Sequence, residues 1–445
     1  MSGYIERPRY QCALGGALAT INSVYRAIPI VHSAPGCSSS ADGAANTGSG
    51  YWGATYCGGR STPSTNILEK EIIFGGENRL REQIESTLSI IDGDLYAVIT
   101  GCMTDIIGDD VKSVAETFKQ QGKNFVLAET GGFKGNSATG YELILEAFFT
   151  QYTEKSVEKT PNMVNLLGLV PAQDIFWRGD LIELKRLLNG LGVEANTFFA
   201  PFDNTEPIKA ASRAALNIVF SDVHGIKAAK VFEEVHGTPF ISLPVPIGPT
   251  ATEKFLIKIG EALNISSEKV QAVISSEKEW YYSFIHNLTD IYNDLDLQRN
   301  SIVVGDINYV YSLTRFVSDD LGWIPAYAVI TDILDEDQKN SIIKRFDEIP
   351  RALRPRLIFE TDTSRIADLI VEDQENKESE YDLAISPAFV LGSTLDRPLA
   401  ARIKAGFLGV TYPVVNRVIT DQSYVGHRGG LRLATEIFSV ILSNR

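Results

Sequence analysis

Short apolar runs alternate with longer stretches of helical periodicity along most of the chain. Each run is rich in β-branched residues and bounded by Gly, Pro or polar residues, which is typical of strands buried on both faces of a parallel sheet. The pattern predicts strands at residues 96–100, 124–128, 164–170, 217–220, 239–243, 301–305 and 382–385. Because helical stretches separate these strands, the sequence predicts right-handed βαβ units and an α/β fold.

Two helices of this pattern carry recognisable start signals. The periodicity places them at residues 109–121 and 180–191. Asp109 or Asp110 can act as the N-cap of the first helix, because a carboxylate accepts hydrogen bonds from the free N–H groups of the first turn. Asp180 and Glu183 have the spacing of a capping box and predict the start of the second helix.

Two polar breaks, at residues 151–162 and 294–300, interrupt the alternation of strands and helices. Each break follows a helical stretch and precedes a predicted strand, as expected at a boundary between domains. The sequence therefore predicts three doubly wound αβα domains with parallel sheets, which cover residues 1–155, 156–297 and 298–445.

The segment 33–66 departs from this pattern, because it is rich in Gly and Ser and has neither helical nor strand periodicity. A loop of this length inside a compact domain is usually functional or disordered. Its two cysteines, Cys37 and Cys57, favour an anchored and functional segment over a flexible surface loop.

Composition and charge narrow the function. The chain has 445 residues, 41 basic against 56 acidic side chains and a formal net charge of −15, so no basic footprint for nucleic acid is present. The N-terminus shows no apolar signal segment and no apolar stretch is long enough for a membrane span. We therefore expect a cytoplasmic protein with no membrane and no nucleic-acid partner. In that compartment the cysteines would be free, metal-bound or redox-active.

The cysteines crowd into the first quarter of the chain, and none follows Cys102. Cys12, Cys37 and Cys102 are separated by 25 and 65 residues, and no CxxC pair supports a zinc-ribbon or thioredoxin site. Such wide spacing predicts ligands that converge from three separate loops. Cys37 follows Gly36, which allows close approach of the backbone to an inorganic cluster, and Cys102 directly follows a predicted strand, where α/β folds bind ligands.

Other residue types give weaker signals. His32 lies near the cysteine loop and can serve as a structural or supporting hydrogen-bond partner. The remaining histidines are interpreted as structural; they are His224, His236, His286 and His427. The sequence contains no P-loop, no GxSxG and no HExxH motif, so nucleotide binding, serine hydrolysis and zinc-protease chemistry have no support in this chain.

Several stretches together resemble the component 1 proteins of the nitrogenase family, specifically their β-type chains. The resemblance runs in order through nearly the whole chain. Its matching stretches are QCALGGA, IVHSAPGC, ILEKEIIFGGENRL, TGCMTDIIGDDV, TGGFKGNSATGY, DLIELKRLLNGLGVEAN, FISLPVPIG and YVGHRGGLRLATEI.

The resemblance implies that Cys12, Cys37 and Cys102 ligate an iron–sulfur cluster shared with a homologous α-type chain. The cluster would be 8Fe–7S, like the P-cluster of the family, or 4Fe–4S. It would take electrons from an ATP-driven iron–sulfur reductase and pass them towards a metallocofactor in the α-type chain, within an α2β2 heterotetramer. Because no cysteine follows Cys102, this chain is not expected to carry that metallocofactor.

The chain also departs from the family pattern. Gly132 occupies the place where some β chains offer a serine as an extra ligand, and Ser137 is not expected to replace it. The tract 38–59 differs from conventional nitrogenases, so the substrate stays open. Cys57 has no counterpart and can be a spare ligand, a redox-exposed thiol or a structural residue.

Three functions are compatible with these features. The first is a β-like subunit of a nitrogenase-like reductase, the second a scaffold for cofactor assembly with the same fold. The third is a non-enzymatic metal-binding or receptor protein, which the absence of a signal segment disfavours.

Overall fold

Three parallel sheets organise the chain in the computed structural model, which describes residues 4–50, 61–156, 158–201, 203–375 and 386–443. The first sheet has the order β1-β2-β3, with β1 at Ala27–His32, β2 at Leu95–Thr100 and β3 at Phe125–Ala128. The backbone at Ser64 extends it beyond β1 through a parallel bridge to Val31. Its helices are α1 (Ala13–Asn22), α2 (Cys37–Gly48), α3 (Glu69–Phe74), α4 (Glu77–Ile90), α5 (Cys102–Ile107), α6 (Val111–Lys119) and α7 (Ser137–Gln151).

The second sheet has the order β5-β4-β6-β7, so its strand order reverses between β4 and β6 as in a doubly wound fold. Its strands are β4 (Thr160–Leu167), β5 (Glu194–Asn196), β6 (Ala214–Val219) and β7 (Phe240–Ser242). The helices that follow in the chain are α8 (Trp177–Gly190), α9 (Glu206–Lys209), α10 (Ile226–His236), α11 (Gly248–Ala262), α12 (Ser267–Ile285) and α13 (Thr289–Asp294).

The third sheet has the order β10-β9-β8-β11-β12 and reverses between β8 and β11. Its strands are β8 (Asn300–Gly305), β9 (Ile324–Ile330), β10 (Arg356–Phe359), β11 (Ala388–Gly392) and β12 (Gly406–Gly409). Its helices are α14 (Ile307–Asp319), α15 (Glu336–Asp347), α16 (Ile366–Glu375), α17 (Arg397–Arg402) and α18 (Gly426–Ser443). All strand pairs are parallel, and the prediction of an α/β fold with three αβα domains is confirmed. The exact domain limits stay a prediction.

Six of the seven predicted strands are present, with ends shifted by a few residues, and the seventh, at 382–385, lies outside the described residues. Asp110 caps α6, because its side chain accepts a hydrogen bond from the Ser113 N–H at 3.0 Å. The prediction that Asp180 starts a helix in a capping box is wrong, since α8 begins three residues earlier. Asp180 is instead buried and accepts hydrogen bonds from the Ser423 hydroxyl and the Tyr424 N–H, which ties α8 to the chain before α18.

The prediction of an irregular segment at 33–66 is wrong for its first part, where α2 forms. This helix lacks an apolar stripe because it is built largely of Ser, Ala, Gly and Asn. Its polar side chains bond back to carbonyls one turn earlier, as Thr47 does to Gly43 at 2.8 Å and Ser49 to Ala45 at 2.6 Å. The composition of this segment therefore gave no periodic signal for α2, although the helix packs against α1. Cys57 lies outside the described residues.

The segment before α1 is anchored on the third sheet rather than the first. Arg9 is buried and makes an ion pair with buried Asp396, at 3.0 Å between Nη2 and Oδ2. Arg9 Nη1 also donates to the Tyr412 carbonyl at 2.9 Å. One continuous cluster of buried apolar side chains extends through all three domains. The domains therefore pack as one body around the start of α1.

Helix α1 packs unusually closely against α7, because glycine occupies the contact on both helices. A Cβ on Gly16 would lie 2.0 Å from the Ser137 carbonyl oxygen. A Cβ on Gly140 would lie 2.0 Å from the Ala13 carbonyl oxygen and 2.6 Å from the Ala17 nitrogen. All these contacts are to backbone atoms, which cannot rotate away. The distance between the two helices is therefore set by the absence of side chains.

No helix in the described ranges is both long enough and apolar enough to cross a membrane.

We expect the substitution Gly140→Ala to destabilise the fold, because the added methyl would force α1 away from α7. The free energy of unfolding should fall by about 1–3 kcal/mol or more, the usual cost of overpacking a tight core. Gly43→Ala in α2 is the matched control, since a Cβ there meets no atom within 4 Å. That substitution should gain up to about 1 kcal/mol from helix propensity. Urea unfolding monitored by circular dichroism measures both, and equal stability of Gly140→Ala and the wild type would contradict the packing argument.

Candidate functional site

Cys12 is the residue that starts α1, and the backbone on both sides of it is fixed. The Ala13 N–H donates to the Gly135 carbonyl at 2.9 Å, and Cys12 forms an antiparallel bridge with Asn136. The Cys12 carbonyl accepts the first intrahelical hydrogen bond from the Gly16 N–H at 3.1 Å. Close packing of α1 on α7 therefore holds Cys12 against the loop that precedes α7.

Cys102 is the first residue of α5 and directly follows β2 through Gly101. The Gly101 N–H donates to the His32 carbonyl at 2.9 Å, so the turn after β2 is joined to the end of β1. A Cβ on Gly101 would lie 2.0 Å from the Ser33 hydroxyl oxygen, so only glycine permits this approach. The carboxyl ends of these parallel strands thus place Cys102 where α/β folds bind ligands.

Cys12 and Cys102 meet at Gly132. The Gly132 N–H donates to Cys102 Sγ at 3.0 Å. A Cβ on Gly132 would lie 3.1 Å from Cys102 Sγ and 3.6 Å from Cys12 Sγ. The structure therefore brings together two of the three predicted ligands, around a residue that offers an N–H group but no side chain.

Cys37 begins α2 and follows β1 through Gly36, whose φ of +88° is accessible mainly to glycine. Because β1 and β2 run parallel with His32 beside Thr100, the loops that carry Cys37 and Cys102 leave the same end of the sheet. All three thiols are free and exposed. Among the described residues, no three His, Cys, Asp or Glu side chains are arranged to hold one metal ion.

Each of the three cysteines lies at the N-terminal end of a helix. Thiolates are the usual protein ligands of iron–sulfur clusters, and backbone N–H groups donated to sulfur tune such clusters. The chemistry of this donor set, with the side-chain-free position at Gly132, fits a polynuclear iron–sulfur cluster.

Ser137 does not belong to this set. Its hydroxyl is buried and donates to Gln173 Oε1 at 2.6 Å, so it faces the protein interior. The expectation that Ser137 does not replace the missing serine agrees with this geometry.

His32 supports the cysteine loops from beneath. Its ring is fully buried, with Nε2 at 2.9 Å from Asp109 Oδ2 and Nδ1 at 3.2 Å from Thr65 Oγ1. Asp109 also accepts a hydrogen bond from the Gly76 N–H at 2.8 Å. Burial lowers the pKa of His32 against the opposing effect of Asp109, so the ring is neutral at pH 7. His32 thus joins β1, the segment after residue 61 and the start of α6, which is the supporting role predicted for it.

Exposed apolar side chains surround the cysteines. Met103 and Phe133 immediately follow Cys102 and Gly132, and α3 contacts α5. We call this set the apolar rim; its members are Leu68, Ile73, Phe74, Met103, Ile106 and Phe133, with exposures from 36% to 80%. A group of large exposed apolar side chains around a polar centre is typical of a surface that another protein covers.

A second group of functional side chains lies between the second and third sheets. His224 Nε2 is 3.0 Å from Asp332 Oδ1, and both residues are buried. Asp332 also accepts from the Ile307 N–H at 2.8 Å. Asp306 caps α14 by accepting from the Tyr309 N–H at 3.2 Å. With Asp174, these residues form a buried carboxylate–histidine cluster.

The charges of this cluster are strongly perturbed. Burial disfavours the charged form of His224, but the hydrogen bond and charge of Asp332, with the neighbouring aspartates, raise its pKa to about 9. Burial, and next the charge of Asp332, raise the pKa of Asp306 to about 6. Burial also raises the pKa of Asp174 well above its usual range. At neutral pH the cluster therefore holds a histidinium beside Asp332.

Sequence reasoning missed this cluster, because it weighed His224 alone and none of the aspartates. A usable signal was present. Asp174, His224 and Asp306 all come within a few residues after a predicted strand, so each lies at the carboxyl edge of its own parallel sheet, the second sheet for Asp174 and His224 and the third for Asp306. The structural interpretation of the other histidines agrees with their contacts. His236 Nε2 lies 2.8 Å from the Phe149 carbonyl, and the His427 ring is fully buried.

Comparisons with known proteins agree in pointing to one family. A sequence model described as nitrogenase component 1 type oxidoreductase matches residues 12–442. The nitrogenase iron-molybdenum cofactor biosynthesis protein NifE of Clostridium pasteurianum is 26% identical over 68% of this chain and 64% of its own length. The nitrogenase vanadium-iron protein beta chain of Trichormus variabilis is 24% identical over 99% of this chain and 94% of its own.

Another relative and a solved structure show the same pattern. The nitrogenase molybdenum-iron protein beta chain of Azotobacter vinelandii is 21% identical over 98% of this chain and 84% of its own length. A solved structure titled nitrogenase Cp1 at pH 6.5 superposes with a TM-score of 0.80 at 20% identity, covering 100% of this chain and 94% of that one. At this identity the structural likeness establishes the fold.

We expect His224 to make stability depend on pH above neutrality. Its folded-state pKa of about 9 exceeds the ordinary value of 6.5, so its stabilisation is complete below pH 6.5 and lost as pH rises through 9. The difference amounts to about 3 kcal/mol. Urea unfolding between pH 6 and pH 9.5 should show this decline in the wild type and lose it in His224→Gln. His286→Gln, at an exposed position, is the control, and an unchanged decline in His224→Gln would refute the assignment.

Proposed function

The chain belongs to the family of nitrogenase component 1 type oxidoreductases, and we propose that it is the β-like subunit of a nitrogenase-like reductase. In this proposal Cys12, Cys37 and Cys102 hold an iron–sulfur cluster at the interface with a homologous α-type chain. When bound, the cluster accepts electrons from an ATP-driven iron–sulfur reductase and supplies them to the partner's metallocofactor. The cluster is of the 8Fe–7S or the 4Fe–4S type.

The observation that carries the proposal is the meeting of Cys12 and Cys102 at Gly132. Their two sulfurs lie 3.6 Å and 3.1 Å from a point that any side chain at residue 132 would occupy. The Gly132 N–H already donates to one of them at 3.0 Å. Coordination to iron would give both sulfurs a common partner. These residues bind and orient the cluster, and the N–H group tunes its charge.

The apolar rim supports the proposal that a partner chain covers the thiols. Ile106 is 74% exposed and Phe74 is 80% exposed, although both lie on helices next to the cysteine loops. A covering chain would remove these side chains from water at a gain of about 25 cal/mol per Å². It would also supply ligands from its own side, as a shared cluster requires. An α2β2 heterotetramer satisfies both needs.

The proposal assigns the metallocofactor and ATP hydrolysis to other chains, because this sequence lacks the residues that each would need. No cysteine follows Cys102, so the second and third domains offer no thiolate to a metallocofactor. The carboxylate–histidine cluster lies buried between these two domains instead. No P-loop is present, which places ATP hydrolysis in a separate reductase. The acidic composition, with a formal net charge of −15, supports a complex without nucleic acid.

A scaffold for cofactor assembly is the second candidate. The similarity to NifE favours it, because that protein is named for cofactor biosynthesis and matches at 26% identity over 68% of this chain. A scaffold would use the same thiols and the same partner surface. It would differ in holding a cofactor precursor rather than sustaining turnover.

We expect Cys12→Ala, Cys37→Ala and Cys102→Ala each to lose the iron of one cluster, because each removes a thiolate ligand. The measurement is iron content and electron paramagnetic resonance of the complex, purified anaerobically with its genomic partner. The iron stoichiometry and signal also separate an 8Fe–7S from a 4Fe–4S cluster. Ser40→Ala, at an exposed position on the same helix as Cys37, is the control and should keep its iron. Unchanged iron in the three variants would overturn the proposal.

Turnover separates the reductase from the scaffold. With the ATP-driven reductase, ATP, dithionite and a reducible substrate as the terminal electron acceptor, a reductase subunit should support continued dithionite oxidation over many electrons per complex. A scaffold should stop once its own clusters are reduced. Cys102→Ala should abolish the continued phase, since the relay passes through its cluster. Oxidation that ends at the stoichiometry of the bound clusters would favour the scaffold.

A further inference from the structure

A cavity of about 280 Å³ lies between the second and third domains, far along the chain from the cysteines. Helix α11 forms one wall and α14 the opposite wall, while the end of α15 closes a third side. The loop after β7 provides an apolar floor with Leu243, Pro244 and Val245, and Phe255 extends it. The size is at the lower end of pockets that bind small molecules.

The side chains that line this cavity include more cations than carboxylates. The lining contains four cationic side chains, Lys254, Lys258, Arg315 and Arg345, against two carboxylates, Asp319 and Glu348. Asp222 pairs with Arg345 and Glu261 with Lys258, so Lys254 and the spare N–H groups of the arginines are what remains for an anion. A cavity with an apolar floor and cationic walls favours an amphiphilic anion.

The two guanidinium groups are held rigidly while keeping free donors. Arg345 donates to Asp222 through Nε at 2.8 Å and Nη2 at 2.6 Å, and to Glu348 through Nη1 at 3.3 Å. Arg315 donates to Asp319 and to the Tyr311 hydroxyl. Each guanidinium has five N–H groups, and these bonds use three of them. Fixed cations with spare donors cost little to order when an anion binds.

Two further side chains have unused bonding capacity. Ser312 is 2% exposed and lines the cavity, yet its hydroxyl has no hydrogen-bond partner in the part of the chain that the structure describes. A buried hydroxyl without a partner is destabilising, so a ligand that accepts its hydrogen bond would stabilise the site. Lys254 lies at the solvent side of the cavity and makes no ion pair within the described ranges.

We propose that this cavity binds a small organic anion, with an apolar body on the Leu243–Val245 floor and one oxyanion group between Lys254, Arg315 and Ser312. The oxyanion accepts hydrogen bonds from the Ser312 hydroxyl and from the free N–H groups of the cations. Because α11 belongs to the second domain and α14 and α15 to the third, a ligand here joins the two domains. The site is independent of the cysteines and of the reaction proposed for them.

The test is isothermal titration calorimetry of the purified complex with four probes: phenyl phosphate, benzoate, neutral benzyl alcohol and inorganic phosphate. At least one aryl anion should bind with one site per chain, and affinity should fall as salt is raised. Benzyl alcohol and inorganic phosphate should bind at least tenfold more weakly. Binding of neither aryl anion, or equal binding of benzyl alcohol or inorganic phosphate, would overturn the proposal.

Two variants test the named residues. Ser312→Ala should weaken binding about tenfold, as expected for a hydrogen bond to a charged group. It should leave stability unchanged or raised, since it removes an unsatisfied polar group, and that result separates binding from folding. Lys254→Gln should weaken binding about threefold, as for an exposed ion pair. Lys112→Gln on α6 is the control for an exposed lysine. Wild-type affinity in both Ser312→Ala and Lys254→Gln would refute the site.

Discussion

The close crossing of α1 and α7 is the constraint on which the candidate site depends. Gly16 and Gly140 leave no room for a Cβ against the opposite backbone, so the helices are held at one distance. That distance fixes Cys12, which starts α1, against the loop that starts α7. Gly132 lies on the same loop and contacts Cys102, which comes from a different strand end. The glycine contact between α1 and α7 in the core thus determines the spacing of two thiols at the surface.

Buried ion pairs fix the positions of the domains, as the glycine contact fixes the positions of α1 and α7. Arg9 and Asp396 join the segment before α1 to the third domain, while His224 and Asp332 join the second domain to the third. A buried ion pair adds little net stability over apolar packing, but breaking one is costly because it leaves a charge uncompensated. These pairs therefore favour one relative arrangement of the domains over alternatives that apolar contacts alone would tolerate.

The sequence allowed the α/β class, the three-domain pattern and most central strands to be predicted, because strands buried on both faces leave uninterrupted apolar runs. The cysteines were identifiable from their clustering, and Asp110 from its capping position. Helix α2 was missed because polar side chains satisfied by their own backbone leave no periodic signal. Asp180 was misassigned because its hydrogen-bond partners, Ser423 and Tyr424, are distant in sequence. Contacts of this kind exist only after folding.

The exposure of the three thiols links the fold to assembly. In the proposed function, the three cysteines of this chain would leave a polynuclear cluster with open coordination, and an exposed cluster is vulnerable to oxidation. The apolar rim around Cys102 makes covering of this surface favourable without any requirement on the cluster itself. A partner chain on this surface would thus complete the coordination of the cluster, and it would also remove the exposed apolar side chains from water. Since both effects act on the same face, cluster loading and subunit association are expected to stabilise each other, as any two ligands of one folded state do.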